Sequence, residues 1–311
     1  MDGYKNLYWN DVNFNFCFRN NRRKNFKKMK NNLFKMGSEI SSRTSTLITI
    51  FGAIGIVFLW FLLTTYGGIS NTIFPRPQNV VASFGELNDK FGLTENVWYS
   101  VKLNFMGYIE ALLIAIPLGF VIGLFPFTKS LLSKWIDSIR FIPLTAVTGL
   151  FVMWFGVKFG MRVHFLSFSI IIYLLPIIVQ RIVEIDKIYL QTAYTIGANK
   201  WQTFKHVYFP SVVSRISDDI RVITAISWTY IIVVEMINKN LGVGALIFNA
   251  NKQQRPDMVF AILIIIIAVG YFQDLLFRYL DYLLFPYKYE KSQVKKRGIN
   301  FSKYFIKVKA T

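Results

Sequence analysis

Few residues in this chain have types and spacings suited to catalysis or metal binding. Its 311 residues include one cysteine, Cys17, and two histidines, His164 and His206. These numbers exclude a disulfide framework and leave no plausible Cys/His zinc site. There is no G-x-x-x-x-G-K-[ST] sequence, so the chain has no P-loop to hold nucleotide phosphates. We therefore expect neither an enzyme nor a metal or cofactor site in this chain.

Two glutamates are notable because they lie in long apolar blocks of the sequence. A carboxylate near the middle of a bilayer costs about 3 kcal/mol on insertion scales, so Glu110 must face protein or water. It either lines or gates a pathway, or it is protonated or hydrogen-bonded between helices. Glu235 lies near the outer end of its block, where a plain interfacial carboxylate is one interpretation.

The elements that carry these residues are long apolar segments. The composition is 53% hydrophobic, 17% aromatic and only 17% charged. Six blocks are long enough to cross a hydrocarbon core of about 30 Å, at 47–66, 97–125, 139–155, 164–182, 220–237 and 258–285. The third is short and contains Pro143. Because no block alternates with period two, as a barrel strand would, the predicted fold is all-α and integral to the membrane, with six transmembrane helices.

The positive charge is distributed asymmetrically along the chain. Of the 36 Lys and Arg residues, 28 lie in 1–46, 126–140, 181–221 and 278–311. By the positive-inside rule, both termini and the connection 183–219 are expected to be cytoplasmic, and an even number of spans agrees with this. The net charge of +19 is then explained by basic residues on the cytoplasmic side, next to the anionic lipid leaflet. Nucleic-acid binding is not expected.

Basic tails precede and follow the apolar blocks. Residues 1–46 are expected to form a cytoplasmic tail without a signal peptide, with Met29 and Met36 as alternative starts. Residues 287–311 form a second basic cytoplasmic tail. Either tail is solvated or contacts membrane lipid.

The second block carries small residues at every fourth position. These are Gly107, Ala111, Ala115, Gly119 and Gly123. Small residues at this spacing allow another helix to approach closely, so they predict a packed face, with Glu110 at one of its edges.

The longest cytoplasmic connection, 185–216, is amphipathic. Gly197 permits a sharp bend, and Pro210 is expected to stop the second segment. A connection of this length with aromatic side chains either docks onto another protein or lies as an interfacial helix on the lipid headgroups.

This connection resembles the cytoplasmic E-A-A-x-x-x-G-x9-I-x-L-P signature of permease subunits in importers of the ATP-binding-cassette (ABC) type. Aligned on Gly197, the triplet Gln191-Thr192-Ala193 takes the E-A-A place, and Val207, Phe209 and Pro210 take the I, L and P places with the nine-residue spacing intact. Gln191, Thr192 and Phe209 depart from the signature, and the missing carboxylate removes charge pairing at the first position.

Other segments resemble the nitrate/sulfonate/taurine/bicarbonate group of these permeases, and the resemblance covers roughly residues 73–286. The segments are IFPRPQNVVASF (73–84), Ile116-Pro117-Leu118-Gly119, RFIPLTAVTGLFVMWFG (140–156), and Glu235 followed by NLGVGALI (240–247). A departure is Asp219-Ile220-Arg221, where the group usually has Gly-Leu-Arg. We interpret Asp218 and Asp219 as favourable charges at the N-terminus of the fifth span.

The resemblance implies a type I, MetI-like permease core over 96–286, preceded by a first transmembrane helix and an extracytoplasmic segment over 47–95. It implies that the loop contacts an ATPase through Gln191, Ala193, Gly197, Ala198, Trp201 and Pro210. It also implies that Glu235 is a gate or a binding-protein contact.

The implied partners are two ABC ATP-binding subunits, which bind the ATP, an extracytoplasmic substrate-binding protein and a second copy of the permease. The implied location is the bacterial inner membrane. The solute is not identified by the sequence: nitrate, sulfonates, taurine, bicarbonate and thiamine or riboflavin precursors all fall within the range of the group. The alternative function is an ATP-independent channel or secondary transporter, which should show inverted repeats or several intramembrane ionisable residues.

Overall fold

The computed structural model describes residues 41–288, and the regular secondary structure of these residues is helical throughout. They belong to two compact units, divided between Asn71 and Thr72. The predictions for most of the two basic tails, including the alternative starts Met29 and Met36, concern residues outside the described part of the chain.

In the first unit, helix α1 (Ser42–Tyr66) is long and apolar enough to cross a membrane. The Ser41 hydroxyl caps it by accepting a hydrogen bond from the backbone N–H of Thr44 at 3.3 Å. This cap satisfies one of the backbone donors that the first turn of a helix leaves unpaired.

The second unit contains the remaining helices. In chain order they are α2 (Pro77–Phe91), α3 (Leu93–Leu124), α4 (Pro126–Ile139), α5 (Leu144–Phe155), α6 (Phe159–Val183), α7 (Lys187–Thr195), α8 (Lys200–Thr203), α9 (Phe209–Asn238), α10 (Val243–Lys252) and α11 (Pro256–Leu284), with a π-helical turn at Phe204–Tyr208 between α8 and α9.

The core of this unit is the contact between α3 and α6. A Cβ atom placed on Gly107, Gly119 or Gly123 would lie 2.7, 2.4 or 2.6 Å from side-chain atoms of Leu166, Ile178 or Ile182 of α6. Ala111 and Ala115, on the same stripe, are fully buried. The stripe of small residues therefore lies where α6 approaches the backbone of α3 too closely for larger side chains.

The third predicted span, 139–155, differs from the structure. Helix α5 begins at Leu144 and has only 12 residues, about 18 Å, which is too short to cross a bilayer. It follows α4 after a bend of 102°, so the pair forms one broken span or a re-entrant segment. The break includes Pro143, which has no N–H to donate and disfavours helical backbone at Ile142.

The prediction that Pro210 stops the second segment of the loop is wrong. One helical segment runs from Lys200 to Ile237, and Pro210 lies in the first turn of α9. The π-helical turn just before it, in which the N–H of Phe209 donates to the carbonyl of Phe204, accommodates the proline, because π turns change the local hydrogen-bond register. For the same reason, Asp218 and Asp219 do not lie at a helix N-terminus.

Candidate functional site

The amphipathic connection forms a helix–bend–helix unit at one end of the second unit, which we call the Gly197 end. Asp186 caps α7 by accepting the N–H of Ile188 at 3.0 Å. Gly197 has φ of +79°, a conformation that other residues adopt at a cost. Asn199 and Gln202 form a capping box that starts the next helix. The bend is therefore fixed by the local sequence on both sides of the glycine.

The residues predicted to contact an ATPase have different exposures in this loop. Gln191, Gly197 and Trp201 are exposed, with Trp201 68% accessible, whereas Ala193 is buried and Ala198 and Pro210 are half-buried. No atom lies within 4 Å of a Cβ built on Gly197. The surface around the bend is thus open, and it displays large apolar side chains next to polar ones. These include Ile188, Tyr189, Tyr194 and Ile196, each more than half exposed.

An ion-pair cluster holds the base of the loop. Arg181, at the end of α6, makes two 2.7 Å hydrogen bonds to the carboxylate of Asp219 in α9. It also donates to Glu184 at 2.7 Å, and this bond holds the pKa of the Glu184 carboxyl below its usual range. Arg215 donates to the backbone carbonyl of Glu184 at 3.3 Å. The two chain segments that enter and leave the loop are therefore joined to each other.

Aromatic rings connect the loop to α3. The ring of Trp201 stacks on Phe204 with centroids 5.4 Å apart. Phe204 meets Phe120 of α3 edge-on at 5.3 Å, and Phe120 stacks on Phe209 at 5.9 Å. A displacement of Trp201 can therefore be passed by direct contact to a helix of the core. Sequence reasoning missed Phe120, which lies among many other aromatic residues.

At the opposite end of the unit, Glu235 is fully buried rather than interfacial. Its carboxylate accepts a hydrogen bond from the Ser100 hydroxyl at 2.6 Å and another from the backbone N–H of Gly244 at 2.9 Å. Ser100 in turn accepts the N–H of Val243 at 3.0 Å. We call this the Glu235 end. The carboxylate links three helices, α3, α9 and α10.

The segment that precedes α10 packs directly against this carboxylate. Gly242 has φ of +107°, and a Cβ placed there would lie 2.2 Å from the carboxyl carbon of Glu235. The N–H of Gly242 donates to the side chain of Asn96 at 2.7 Å. Nearby, the buried guanidinium of Arg162 donates to the Tyr99 hydroxyl. Asn96, Ser100 and Arg162 were not predicted; their polar types within or beside apolar blocks were the available signal.

Glu110 lies between helices, paired with His164. The Glu110 carboxylate and Nδ1 of His164 are 2.8 Å apart, which joins α3 to α6. The side chains keep 30% and 43% of their accessible surface, respectively. A hydrogen bond between helices is thus present, and a place for Glu110 on the wall of a pathway stays a prediction.

A cavity of about 660 Å³ lies between α4, α6 and α9, towards the Gly197 end. Its lining includes Lys129 from α4, Arg140 just after α4, Tyr173 and Gln180 from α6, and Asp219 from α9. It contains neither Glu110 nor Glu235. None of the residues singled out in the sequence as site candidates lines it.

The sequence of this chain matches a known protein family. The model of the family described as "binding-protein-dependent transport system inner membrane component" matches residues 115–284, more than half of the chain. The chain belongs to this family. The match contains both the loop around Gly197 and the buried Glu235.

Individual relatives agree with the family assignment. A putative ABC transporter permease of Methanocaldococcus jannaschii is 30% identical over 72% of this chain and 86% of its own length. A putative aliphatic sulfonates transport permease of Bacillus subtilis is 24% identical over 75% and 84%, respectively. The resemblance inferred from the loop signature is therefore confirmed: the chain is an ABC transporter permease and a multi-pass membrane protein.

The fold agrees with that of a solved transporter. A bacterial alginate ABC transporter, in complex with an alginate pentasaccharide-bound periplasmic protein, contains a chain that matches 75% of this chain and 93% of its own length. The TM-score is 0.50 and the identity 16%. The predicted all-α permease architecture is confirmed, except that the third span is replaced by the bent pair α4 and α5.

Proposed function

We propose that this chain forms the translocation pathway of an ATP-driven importer for a small solute, and that a separate ATPase docks on the loop 185–216. The observation that carries the proposal is the open, bent unit around Gly197, with Trp201 exposed at the bend and its base held by Arg181 and Asp219. Such a unit can transmit a movement of a bound protein, because the two helical segments are held at their base while the bend at Gly197 is accessible to a partner.

Docking on a protein explains the loop better than an interfacial position on lipid. At about 100° per residue, Gln191 and Thr195 lie on the side of α7 opposite the buried Ala193. A helix that floats on headgroups should turn one continuous apolar face towards the acyl chains. The outward side of α7 instead mixes Gln191 and Thr195 with the exposed Ile188, and the exposed Tyr194 lies on one flank. Mixed polar and aromatic surface of this kind is typical of protein interfaces.

The proposed function also implies an orientation of the chain in the membrane and a set of partner proteins. The excess of Lys and Arg supports a cytoplasmic position for the Gly197 end and both termini, where ATP is available. The opposite end, with Glu235, then faces the extracytoplasmic binding protein on which the family is named to depend. We propose a homodimer with two ATP-binding subunits, so that two sets of spans enclose one pathway.

The solute class is proposed from relatives. The Bacillus subtilis relative is named for aliphatic sulfonates, and a taurine transport permease of Escherichia coli is also similar to this chain. Nitrate, sulfonate, taurine and bicarbonate are all small and polar. The affinity that selects among them would lie in the binding protein.

Co-purification tests the docking surface. We expect the tagged full-length chain to retain an ABC ATP-binding subunit, and Ala198→Asp to lose most of it, because the new charge would be desolvated at the interface. The matched control is Ser138→Asp, an exposed residue at the same end of the unit but outside the loop, which should retain the subunit. Membrane insertion should be unchanged in both variants.

A second variant separates docking from coupling. Bulky replacement at Gly197 should leave insertion intact while solute-stimulated ATPase activity and uptake cease to vary together. The proposal fails if Ala198→Asp binds the ATPase as the unchanged chain does. It also fails if photo-crosslinks placed at 198 and 201 capture phospholipid and never a nucleotide-binding chain.

A further inference from the structure

The cavity between α4, α6 and α9 has a polar lining on one side. Helix α4 contributes Lys129, Ser133 and Asp137, and Arg140 directly follows this helix. The apolar lining comes mainly from α6 and α9. A space of about 660 Å³ is large enough for a small solute with several of its hydration waters.

Two tyrosines lie at one end of the cavity. Tyr173 lines the cavity, and its hydroxyl lies 3.1 Å from that of Tyr230. Their rings stack with centroids 6.4 Å apart. Tyr230 lies one helical turn beyond Ile226, the lining residue of α9 that is farthest from the Gly197 end. The pair therefore lies on the side of the cavity that is nearer to Glu235.

The charges around the cavity favour an anion. Lys129 and Arg140 form no ion pair with any other residue of 41–288, and the same holds for Asp137. The remaining lining carboxylate, Asp219, belongs to a cluster in which the charges of Arg181 and Arg215 balance those of Asp219 and Glu184. The cavity thus has an excess of one positive charge, in a position where low-dielectric walls strengthen its field.

Hydrogen-bond donors are also available to a ligand. The Ser133 hydroxyl is shielded from solvent and has no hydrogen-bond partner in the described part of the chain. A buried hydroxyl without a partner is costly, so such a group is commonly satisfied by water or by a bound ligand. Together with the ammonium of Lys129 and the guanidinium of Arg140, it offers donors for the oxygens of an anionic group.

We propose that this cavity is a solute-binding chamber of the pathway, and that its ligand is a small organic anion whose charged group is bound by Lys129, Arg140 and Ser133. The inference rests on the proposed function in one respect, namely that the cavity belongs to the pathway rather than to a lipid-filled cleft. An anionic lipid headgroup offers the same chemistry as a free anion, so the experiment must separate these two sources.

Thiol labelling tests the chamber without any ATPase. In the full-length chain with Cys17→Ser, reconstituted in nanodiscs, a cysteine is introduced as Ser133→Cys. Labelling by an anionic sulfonatoethyl methanethiosulfonate is compared with labelling by its cationic trimethylammonium analogue. We expect the anionic reagent to be favoured about fivefold to tenfold, the scale set by one or two unit charges a few ångströms from the thiol. In the Lys129→Ala, Arg140→Ala background the ratio should fall to about one or below.

The matched control is Ser138→Cys, which lies on the same helix, is exposed and does not line the cavity. It should show no comparable preference. Ethanesulfonate should slow labelling of Ser133→Cys, whereas neutral ethanesulfonamide should not, and neither should affect Ser138→Cys. If Ser133→Cys does not fold, Ile136→Cys on the same lining serves instead.

Three results would contradict the proposal that the cavity is a solute-binding chamber. One is equal labelling by both reagents in the unchanged charge background, and another is protection of Ser138→Cys by ethanesulfonate to the same degree. The third is labelling that depends on the phosphatidylglycerol content of the nanodisc and not on ethanesulfonate, which would assign the site to a lipid headgroup. Since no ATPase is present, failure of the chamber and failure of the ATPase docking are observed in separate experiments.

Discussion

The hydroxyl of Ser100 donates a 2.6 Å hydrogen bond to the fully buried carboxylate of Glu235, and this contact joins α3 to α9. The same two side chains hold the start of α10, because Ser100 accepts the N–H of Val243 and Glu235 accepts that of Gly244. The loop before α10 is thus held by side chains rather than by backbone pairing alone. Any movement of α9 relative to α3 must therefore change the position of this loop.

Replacement of this carboxylate should destabilise the permease strongly. Glu235→Ala leaves the Ser100 hydroxyl and the N–H of Gly244 buried without their acceptor, which should lower the free energy of unfolding by about 2–4 kcal/mol. Glu235→Gln keeps one acceptor oxygen and similar volume, so it should lose less than half as much. Thermal unfolding of the purified chain in detergent measures both. Equal losses for the two variants would show that the hydrogen bonds do not matter.

The close approach of α3 and α6 gives a second prediction. Gly119→Ala places a methyl group 2.4 Å from Ile178, so the helices must separate, at a cost of about 1–3 kcal/mol. Gly149→Ala is the matched control, because it is also in a helix but has no atom within 4 Å of the new Cβ. It should be neutral or slightly stabilising. The transition temperatures of the two variants in detergent provide the comparison. If Gly119→Ala were as stable as Gly149→Ala, α6 could move away from α3 at little cost in stability.

Segments whose structure depends on local sequence were predictable. Apolar length identified the long spans, and the spacing around Gly197 identified the bent loop. Pro210 was misinterpreted because proline usually ends a helix, whereas here a preceding π turn accommodates it. Whether a proline breaks or continues a helix depends on the backbone register before it, which composition does not reveal.

Contacts between distant residues were not predictable. Glu110 was identified as a costly intramembrane carboxylate, but its partner His164 is 54 residues away, and a lone histidine gave no signal without a metal site. Arg181 and Asp219 are 38 residues apart, and Asp219 was assigned to a helix end that the structure does not have. Such pairs arise from helix packing, which a single sequence does not specify.

The attachment of α2 should depend on pH. Glu86 accepts hydrogen bonds from Lys90 at 3.1 Å and from Arg255, which precedes α11, at 3.0 Å. These bonds hold the pKa of the Glu86 carboxyl below its usual range. Because this pKa is depressed in the folded chain, the contact stabilises above the ordinary carboxyl pKa of about 4.3 and is lost as the pH falls through the lower folded value.

Hydrogen exchange of α2 measures this effect. Exchange should accelerate as the pH falls below about 4, after correction for the intrinsic rate. In Glu86→Gln it should already be faster at neutral pH and should change less on acidification. The same pH dependence in Glu86→Gln would assign the effect to other carboxylates, of which Asp257 is the nearest candidate through its own contact with Arg255.

The ion pair at the base of the loop should matter for both stability and coupling. Arg181 and Asp219 are mostly buried, with 30% and 15% of their side chains exposed, and they share two 2.7 Å hydrogen bonds. Removing either partner leaves the other with a charge that is poorly solvated and has lost its main counter-ion. Each single alanine variant should therefore destabilise the chain, and a double-mutant cycle should give an interaction energy of about 1–3 kcal/mol. The more exposed Arg278, paired with Asp274 four residues away, is the control, and its alanine variant should cost less than about 1 kcal/mol.

The effect of Arg181→Ala on transport shows whether the Arg181–Asp219 ion pair only stabilises the fold or also transmits movement. If the ion pair transmits the movement of the loop to α6 and α9, Arg181→Ala should still bind the ATPase subunit, because the docking surface around Gly197 is unchanged. ATP hydrolysis should then proceed with reduced solute transport per ATP. Arg278→Ala should keep the unchanged ratio. A variant Arg181→Lys, which keeps the charge but not the two-pronged hydrogen bonding, should fall between them. Full transport per ATP in Arg181→Ala would contradict a role in transmission and leave the pair as a stabilising contact only.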